Sequence, residues 1–462
     1  MPDIPTYNAQ IALAENPAHD TSSVQMVGLI VFALGLLGVV VALFSDLGAQ
    51  QPILMLVLLA VGVVGGPLLY IWDSYRSTGA GIHNNGVMFS SNQARGLIGW
   101  VAGIVLTGGY ILLYWFPTTL EGLVRVVDPL AYTLRGTAAD RWFLYGTIYT
   151  IAVLVMGVRA IVKYRHSRYQ IVRTCSVMFF QLGFAFLIPQ LLLLFNQPEF
   201  YFSYFWPLKY DYLWPGNISY IIESGAGLGV FMVFWGAMMT SIATPILTYF
   251  FGKRWYCSWV CGCGGLAETA GDPYRHLSDK SLGSWKIERW LVHSVLLFVI
   301  VTTALLWINS ATEGGVFGGS SQMFSQWYGF GIGLVFSGVV GVGFYPVMGS
   351  RVWCRFGCPM AAVLGFQQRF FSRFRITTNG GQCISCGNCS TYCEMGIDVR
   401  WYAQRGQNII RSSCVGCGIC SAVCPRGVLN LENGPREGRF GTPHLNLIGD
   451  LEILEGEGIS DL

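Results

Sequence analysis

Cys383-Ile384-Ser385-Cys386-Gly387-Asn388-Cys389-Ser390-Thr391-Tyr392-Cys393 and Cys414-Val415-Gly416-Cys417-Gly418-Ile419-Cys420-Ser421-Ala422-Val423-Cys424-Pro425 are two copies of one pattern, C-x2-C-x2-C-x3-C. In this spacing three neighbouring thiolates hold three irons of a 4Fe-4S cluster, and the fourth cysteine crosses to the other cluster. The crossover assigns Cys383, Cys386, Cys389 and Cys424 to a first cluster, and Cys414, Cys417, Cys420 and Cys393 to a second. Paired zinc knuckles are the competing reading. Zinc sites favour two C-x2-C pairs with a longer spacer, often with histidine, and no histidine falls between Cys383 and Cys424.

Outside this stretch the chain is too apolar for a soluble domain. Of 462 residues, 53% are hydrophobic and only 11% charged, with a mean hydropathy of +0.49. The fold expected is an all-α polytopic membrane bundle of about eight transmembrane helices, followed by an α+β, bacterial ferredoxin-like domain for two 4Fe-4S clusters. A net charge of +3 implies no nucleic-acid partner. Fourteen cysteines in dense groups suggest iron–sulfur ligation rather than a disulfide scaffold, which requires the reducing side of the membrane.

Residues 1–23 carry no Lys or Arg and none of the marks of a signal peptide, and read as a loose amino-terminal segment. Apolar runs long enough to cross a bilayer follow at about 24–44, 51–72, 96–115, 143–162, 176–195, 227–251, 287–308 and 328–349. Pro189 sits inside the fifth, where a helix is prone to break. The organisation expected is a four-helix membrane region (24–175), a duplicated membrane unit (176–358), an amphipathic linker (359–379), the ferredoxin-like domain (380–432) and a tail (433–462).

Lys and Arg gather after the fourth, sixth and eighth runs, for example Arg165, Arg168 and Arg173, then Lys253, Arg254 and Arg275, then Arg351 and Arg355. The positive-inside rule puts these loops and the cluster domain in the cytoplasm of a bacterial-type inner (cytoplasmic) membrane. Arg125, Arg135 and Arg141, in a loop expected outside, run against that pattern. Residues 196–226 are dense in aromatics, among them Phe200, Tyr204, Phe205, Trp206, Tyr210 and Trp214. They read as an interfacial belt, with a docking face or a lid over a quinone pocket as the alternative. Phe366, Phe370, Phe371 and Phe374, set among Arg369, Arg373 and Arg375, suit a helix lying along the inner membrane surface.

Gly252-Lys253-Arg254-Trp255-Tyr256-Cys257-Ser258-Trp259-Val260-Cys261-Gly262 lines up with Gly349-Ser350-Arg351-Val352-Trp353-Cys354-Arg355-Phe356-Gly357-Cys358-Pro359. Each R-x-x-C-x3-C stretch, if helical throughout, would set its two thiols on one face at the inner membrane surface. Cys257, Cys261, Cys354 and Cys358 are therefore candidate metal ligands for a third centre. A redox-active dithiol and plain packing cysteines are the other readings. Cys263 is a spare ligand in the same neighbourhood, Cys175 reads as core, and Arg254 and Arg351 as charges that stabilise thiolates or a reduced cluster.

This combination of apolar helices, two R-x-x-C-x3-C motifs and a terminal pair of 4Fe-4S runs resembles the membrane polyferredoxins of the NapH, NosR and CcoG type. The resemblance covers about residues 176–430. The family pattern is C-x3-C-P twice; Cys358-Pro359 keeps it, whereas Gly262 replaces the first proline, and Glu394 stands where a proline would end the first ferredoxin run. The resemblance implies electron transfer between the quinol/quinone pool and partner redox subunits of a larger respiratory complex. Its CcoG branch implies an alternative, an assembly factor that reduces metal ions or thiols. Of six histidines, His293 lies within the seventh run and suits a hydrogen bond to a quinone or a neighbouring helix, while His166 and His276 read as surface residues.

Overall fold

A computed structural model describes residues 21–76 and 96–434. The expected segment at 1–20 and the tail beyond 434 lie outside the described residues. Among the described residues, seven helices are long and apolar enough to cross a membrane: Ser23–Phe44, Pro52–Arg76, Arg141–Lys163, Arg168–Leu194, Pro215–Phe251, Leu282–Ala311 and Ser320–Val340. The remaining expected segment, Leu97–Trp115, qualifies only together with Pro117–Val126, from which it is bent by 112°. Pro117 causes the bend: the residue before a proline is pushed out of helical geometry, and Phe116 has φ −128° and ψ 54°.

The bundle is apolar on its outside. Leu34, Ile104, Val105, Phe234 and Leu297 are all more than 60% exposed, a surface that suits hydrocarbon rather than water. Inside, small residues bring helices close. A Cβ on Gly35 would lie 2.7 Å from the Gly62 backbone, so the first two helices pack backbone to backbone.

Pro189 does not break the fifth helix. Phe180–Leu187 widens into π-helical geometry just before it, which absorbs the ring and the missing donor. Pro215–Phe251 starts earlier than expected, with a break at Ala226 (φ 46°), the residue before the expected start at 227. The last long helix ends at Val340 rather than 349. Six glycines between Gly329 and Gly343 lower helix propensity there, and a turn leads into the short helix Tyr345–Met348.

The carboxy-terminal domain is built on β1 (Arg375–Thr378) and β2 (Leu429–Glu432), antiparallel with Arg375 opposite Glu432. Its two cysteine runs repeat each other in backbone geometry. Ser385 matches Gly416, Gly387 matches Gly418 and Gly396 matches Gly427, all with positive φ. The helical turns Asn388–Thr391 and Ile419–Ala422 follow at equivalent places.

The loops after the fourth, sixth and last long helices meet this domain at one end of the bundle. His166 Nε2 lies 2.9 Å from Ala422 O, Gln170 donates to Cys417 O at 2.8 Å, and Lys253 donates to Ser412 O at 3.2 Å. One hydrophobic core runs without interruption from Cys257 and Cys354 to Cys389 and Cys414.

Candidate iron–sulfur sites

Two pockets in the carboxy-terminal domain gather its eight cysteines. One, of about 360 Å³, is lined by Cys383, Cys386, Cys389 and Cys424. The other, of about 390 Å³, is lined by Cys393, Cys414, Cys417 and Cys420. Cys386 is exposed, so the first pocket opens to the surface, whereas Cys414 and Cys420 are buried. Cys420 is also within electrostatic reach of Cys389, which makes the pockets neighbours.

Burial pushes the Cys389 and Cys417 thiols up to about 12 and Cys414 up to about 11. Four such groups become thiolates together only beside cations, as a bound cluster's irons provide. Backbone amides already aim at the sulfurs, Ile397 N lying 3.4 Å from Cys393 Sγ and Gly416 N facing Cys414. Amides placed in this way steady thiolate charge and tune a cluster's potential, so the donor set fits two 4Fe-4S groups.

The four cysteines of the R-x-x-C-x3-C stretches converge as well. Cys257, Cys261, Cys354 and Cys358 are all buried and within electrostatic reach of one another. The two stretches share local geometry. Gly252 and Gly349 both have positive φ, and the amides of Cys261 and Cys358 donate five residues back, to Tyr256 O at 2.8 Å and Trp353 O at 3.0 Å.

Neither C-x3-C is one continuous helix. Arg254–Cys257 and Val352–Phe356 end before the second cysteine, and Cys261 and Cys358 instead cap the next helices in extended geometry. Nor does the quartet lie flat at the bundle's edge. A Cβ on Gly262 would collide with the Tyr204 hydroxyl and meet Gln181, which is about 20 Å along the fifth helix at 1.5 Å per residue. The Cys263 thiol lies within hydrogen-bonding reach of the Cys261 sulfur, and Cys175 is exposed rather than part of the core.

The aromatic loop 196–214 folds inward. Phe205 is 1% exposed and packs edge-on against Tyr256, whose hydroxyl donates to Ser203 O at 2.6 Å. Tyr204 faces Cys261 and Cys263. Tyr204 and Phe205 therefore pack beside the quartet, whereas Tyr201, Phe202, Trp206, Tyr210 and Trp214 stay partly exposed. Phe374, expected on a membrane surface, is also buried, with the Arg254 guanidinium 5.0 Å from its ring centre; Phe366, Phe370 and Phe371 are exposed.

Sequence reasoning picks out Arg173, Arg275, Arg351 and Glu394 but misses their pairing and the buried acids Glu268 and Asp272. Glu268, Asp272 and Glu394 are fully buried and paired with Arg173, Arg275, Arg351, Arg159 and Lys163. Burial alone would raise the Asp272 carboxyl, but Lys163, Arg275 and Arg159 outweigh it and hold it well below the usual carboxylate range. Glu268, Glu394 and Cys417 approach one another as metal ligands do, but Arg275 occupies the space and reaches all three. Arg173 had stood out in the sequence only as a loop charge. A third pocket, of about 320 Å³, runs from Cys354 to His293 and is also lined by Lys253, Glu288 and Arg355.

These pockets and the two-stranded domain around them have the form of a 4Fe-4S ferredoxin-type domain joined to an apolar helical bundle. The 4Fe-4S dicluster domain family matches residues 375–425, and the 4Fe-4S binding domain family matches residues 233–284 and 330–377, each of which holds one C-x3-C pair. The chain is similar to the proposed electron transport protein YccM of Escherichia coli K12, with 28% identity over 195 residues, 40% of this chain and 52% of that protein. It is also similar to the methylamine utilization ferredoxin-type protein MauN of Paracoccus denitrificans, with 29% identity over 168 residues, 34% of this chain and 54% of that protein. The chain spans about half the length of these curated relatives. No solved structure matches it. The matched regions hold both C-x3-C pairs and all eight cysteines of the two ferredoxin runs.

Proposed function

We propose that the chain is a membrane-embedded electron-transfer protein linking the quinone pool to partner redox subunits through three neighbouring iron–sulfur sites. Cys383, Cys386, Cys389 and Cys424 would hold one 4Fe-4S cluster, Cys414, Cys417, Cys420 and Cys393 a second, and Cys257, Cys261, Cys354 and Cys358 a third centre. The clusters supply one-electron transfer; the protein supplies position, insulation and potential.

The observation that carries this reading is the continuity of the sulfur sets. Cys389 neighbours Cys420, and one buried charge network touches both Cys417 and Cys354. The exposed Cys386 end suits docking of a soluble partner, and Tyr204 and Phe205 keep the inner end dry.

The pocket beside Cys354 supports the quinone link. It is a pocket at a sulfur centre lined by the Glu288 carboxylate, which is paired with Arg355 at 2.8 Å, and by His293, whose Nδ1 lies 2.6 Å from Arg289 O and leaves Nε2 to exchange a proton with a quinol. The orientation follows from the Lys and Arg bias: the cluster domain faces the cytoplasm of a bacterial-type inner membrane.

The test is rapid anaerobic mixing of the cluster-loaded full chain with a quinol analogue, following visible cluster absorbance. Exchange that slows in E288Q and H293A supports the reading. Absence of exchange in both directions, with intact clusters, contradicts the quinone link.

A further inference from the structure

The buried charges between the sulfur sites close into a ring. Arg275 Nη2 and Arg351 Nη2 lie 3.0 and 2.6 Å from the two oxygens of Glu268, and Arg275 Nη1 and Arg351 Nε lie 2.6 and 3.1 Å from the two oxygens of Glu394. All four side chains are at most 1% exposed. Each arginine also reaches one sulfur: Arg351 Nη1 is 3.5 Å from Cys354 Sγ, and Arg275 Nη1 is 3.9 Å from Cys417 Sγ. The ring thus touches two different sulfur sets.

Glu394 occupies the position that Pro425 fills in the second run, with Gly396 and Gly427 at φ 65° and 63° two residues later. A proline there has no charge to offer, so this one exchange closes the ring. Counting Arg173, Arg159, Lys163 and Asp272, five cations face three buried carboxylates; Arg173, Arg275 and Arg351 are buried, and Arg159 and Lys163 are partly exposed at the edge of the cluster. Surplus positive charge out of water is costly unless an anion lies beside it, and thiolate-ligated clusters are such anions.

We propose that this ring is a shared potential-setting element for two centres. Arg351 raises the reduction potential of the centre at the Cys354 quartet, Arg275 raises that of the centre at Cys417, and Glu394 lowers both. A nearby cation favours the added electron and a nearby carboxylate opposes it. The Arg351 half rests on the reading that the quartet holds a cluster; the Arg275 half does not.

A mediated redox titration of the full chain, read by low-temperature electron paramagnetic resonance, tests this. R351Q shifts the quartet centre to lower potential, R275Q shifts the Cys417 centre lower, and E394Q shifts both higher, while the centre at Cys383 stays in place. The expected size is a tenfold change in the reduced-to-oxidised ratio at fixed poise, about 59 mV for a one-electron couple. R351K and R275K, which keep the charge, restore most of the shift.

Equal shifts at every centre, no shift in fully loaded variants, or a lower potential in E394Q would overturn the proposal. If R351Q loses its centre, the sign in E394Q and the size in R351K still decide. A wild-type chain with only the two ferredoxin signals contradicts the third cluster, while R275Q continues to test the ring.

Discussion

Cys389 and Cys393 stand four residues apart in the chain but line different pockets. Cys389 shares one with Cys424, and Cys393 shares the other with Cys414, Cys417 and Cys420. Substitutions should therefore group by pocket and not by run. C424S is expected to abolish the same resonance signal as C389S, and C393S the same signal as C420S. Iron analysis and spectra of the four variants check this; a C424S that matched C420S would contradict the crossover.

Asp272 sets an acid limit. Its carboxyl is held low in the folded state, so its contribution to stability is present above the unfolded value of about 3.9 and is lost as pH falls below about 4. D272N leaves Arg159, Lys163 and Arg275 short of a partner, and breaking a buried pair costs about 3–5 kcal/mol. Acid unfolding of the two proteins followed by fluorescence should show D272N less stable at neutral pH and less sensitive between pH 5 and about 2. Parallel curves would count against this role.

Gly35 permits the backbone contact with Gly62. A leucine there must push the first two helices apart, an overpacking that costs about 1–3 kcal/mol. G35L should unfold at lower denaturant in detergent while keeping its iron, because this contact lies outside the core that joins the cysteine sites. Iron loss in folded G35L would mean that the pair supports the clusters directly.

Much of this architecture is legible in the residues themselves. The eight cysteines of the two ferredoxin pockets stand out by spacing, the quartet by the repeat around Arg254 and Arg351, and the apolar helices by length. What local pattern could not convey was set by tertiary packing. C-x3-C suggests one helical face, but Cys261 and Cys358 begin new helices. The repeat pairs Arg254 with Arg351, but only Arg351 reaches sulfur, whereas Arg254 lies over Phe374. Aromatic density at 196–214 suggests a water–lipid boundary, but Phe205 turns inward to Tyr256. One signal was there to be read: Glu268 is an isolated acid in a Gly- and Cys-rich apolar stretch, where a charge needs a buried partner.

In the proposed function, three sulfur sites, not two, form one path. Iron content and low-temperature resonance of the anaerobically loaded full chain, wild type beside C354S, test it most directly. About twelve irons and three reducible centres are expected in the wild type, with about four irons and one centre lost in C354S and both ferredoxin signals retained. About eight irons and the same two signals in both proteins would contradict it.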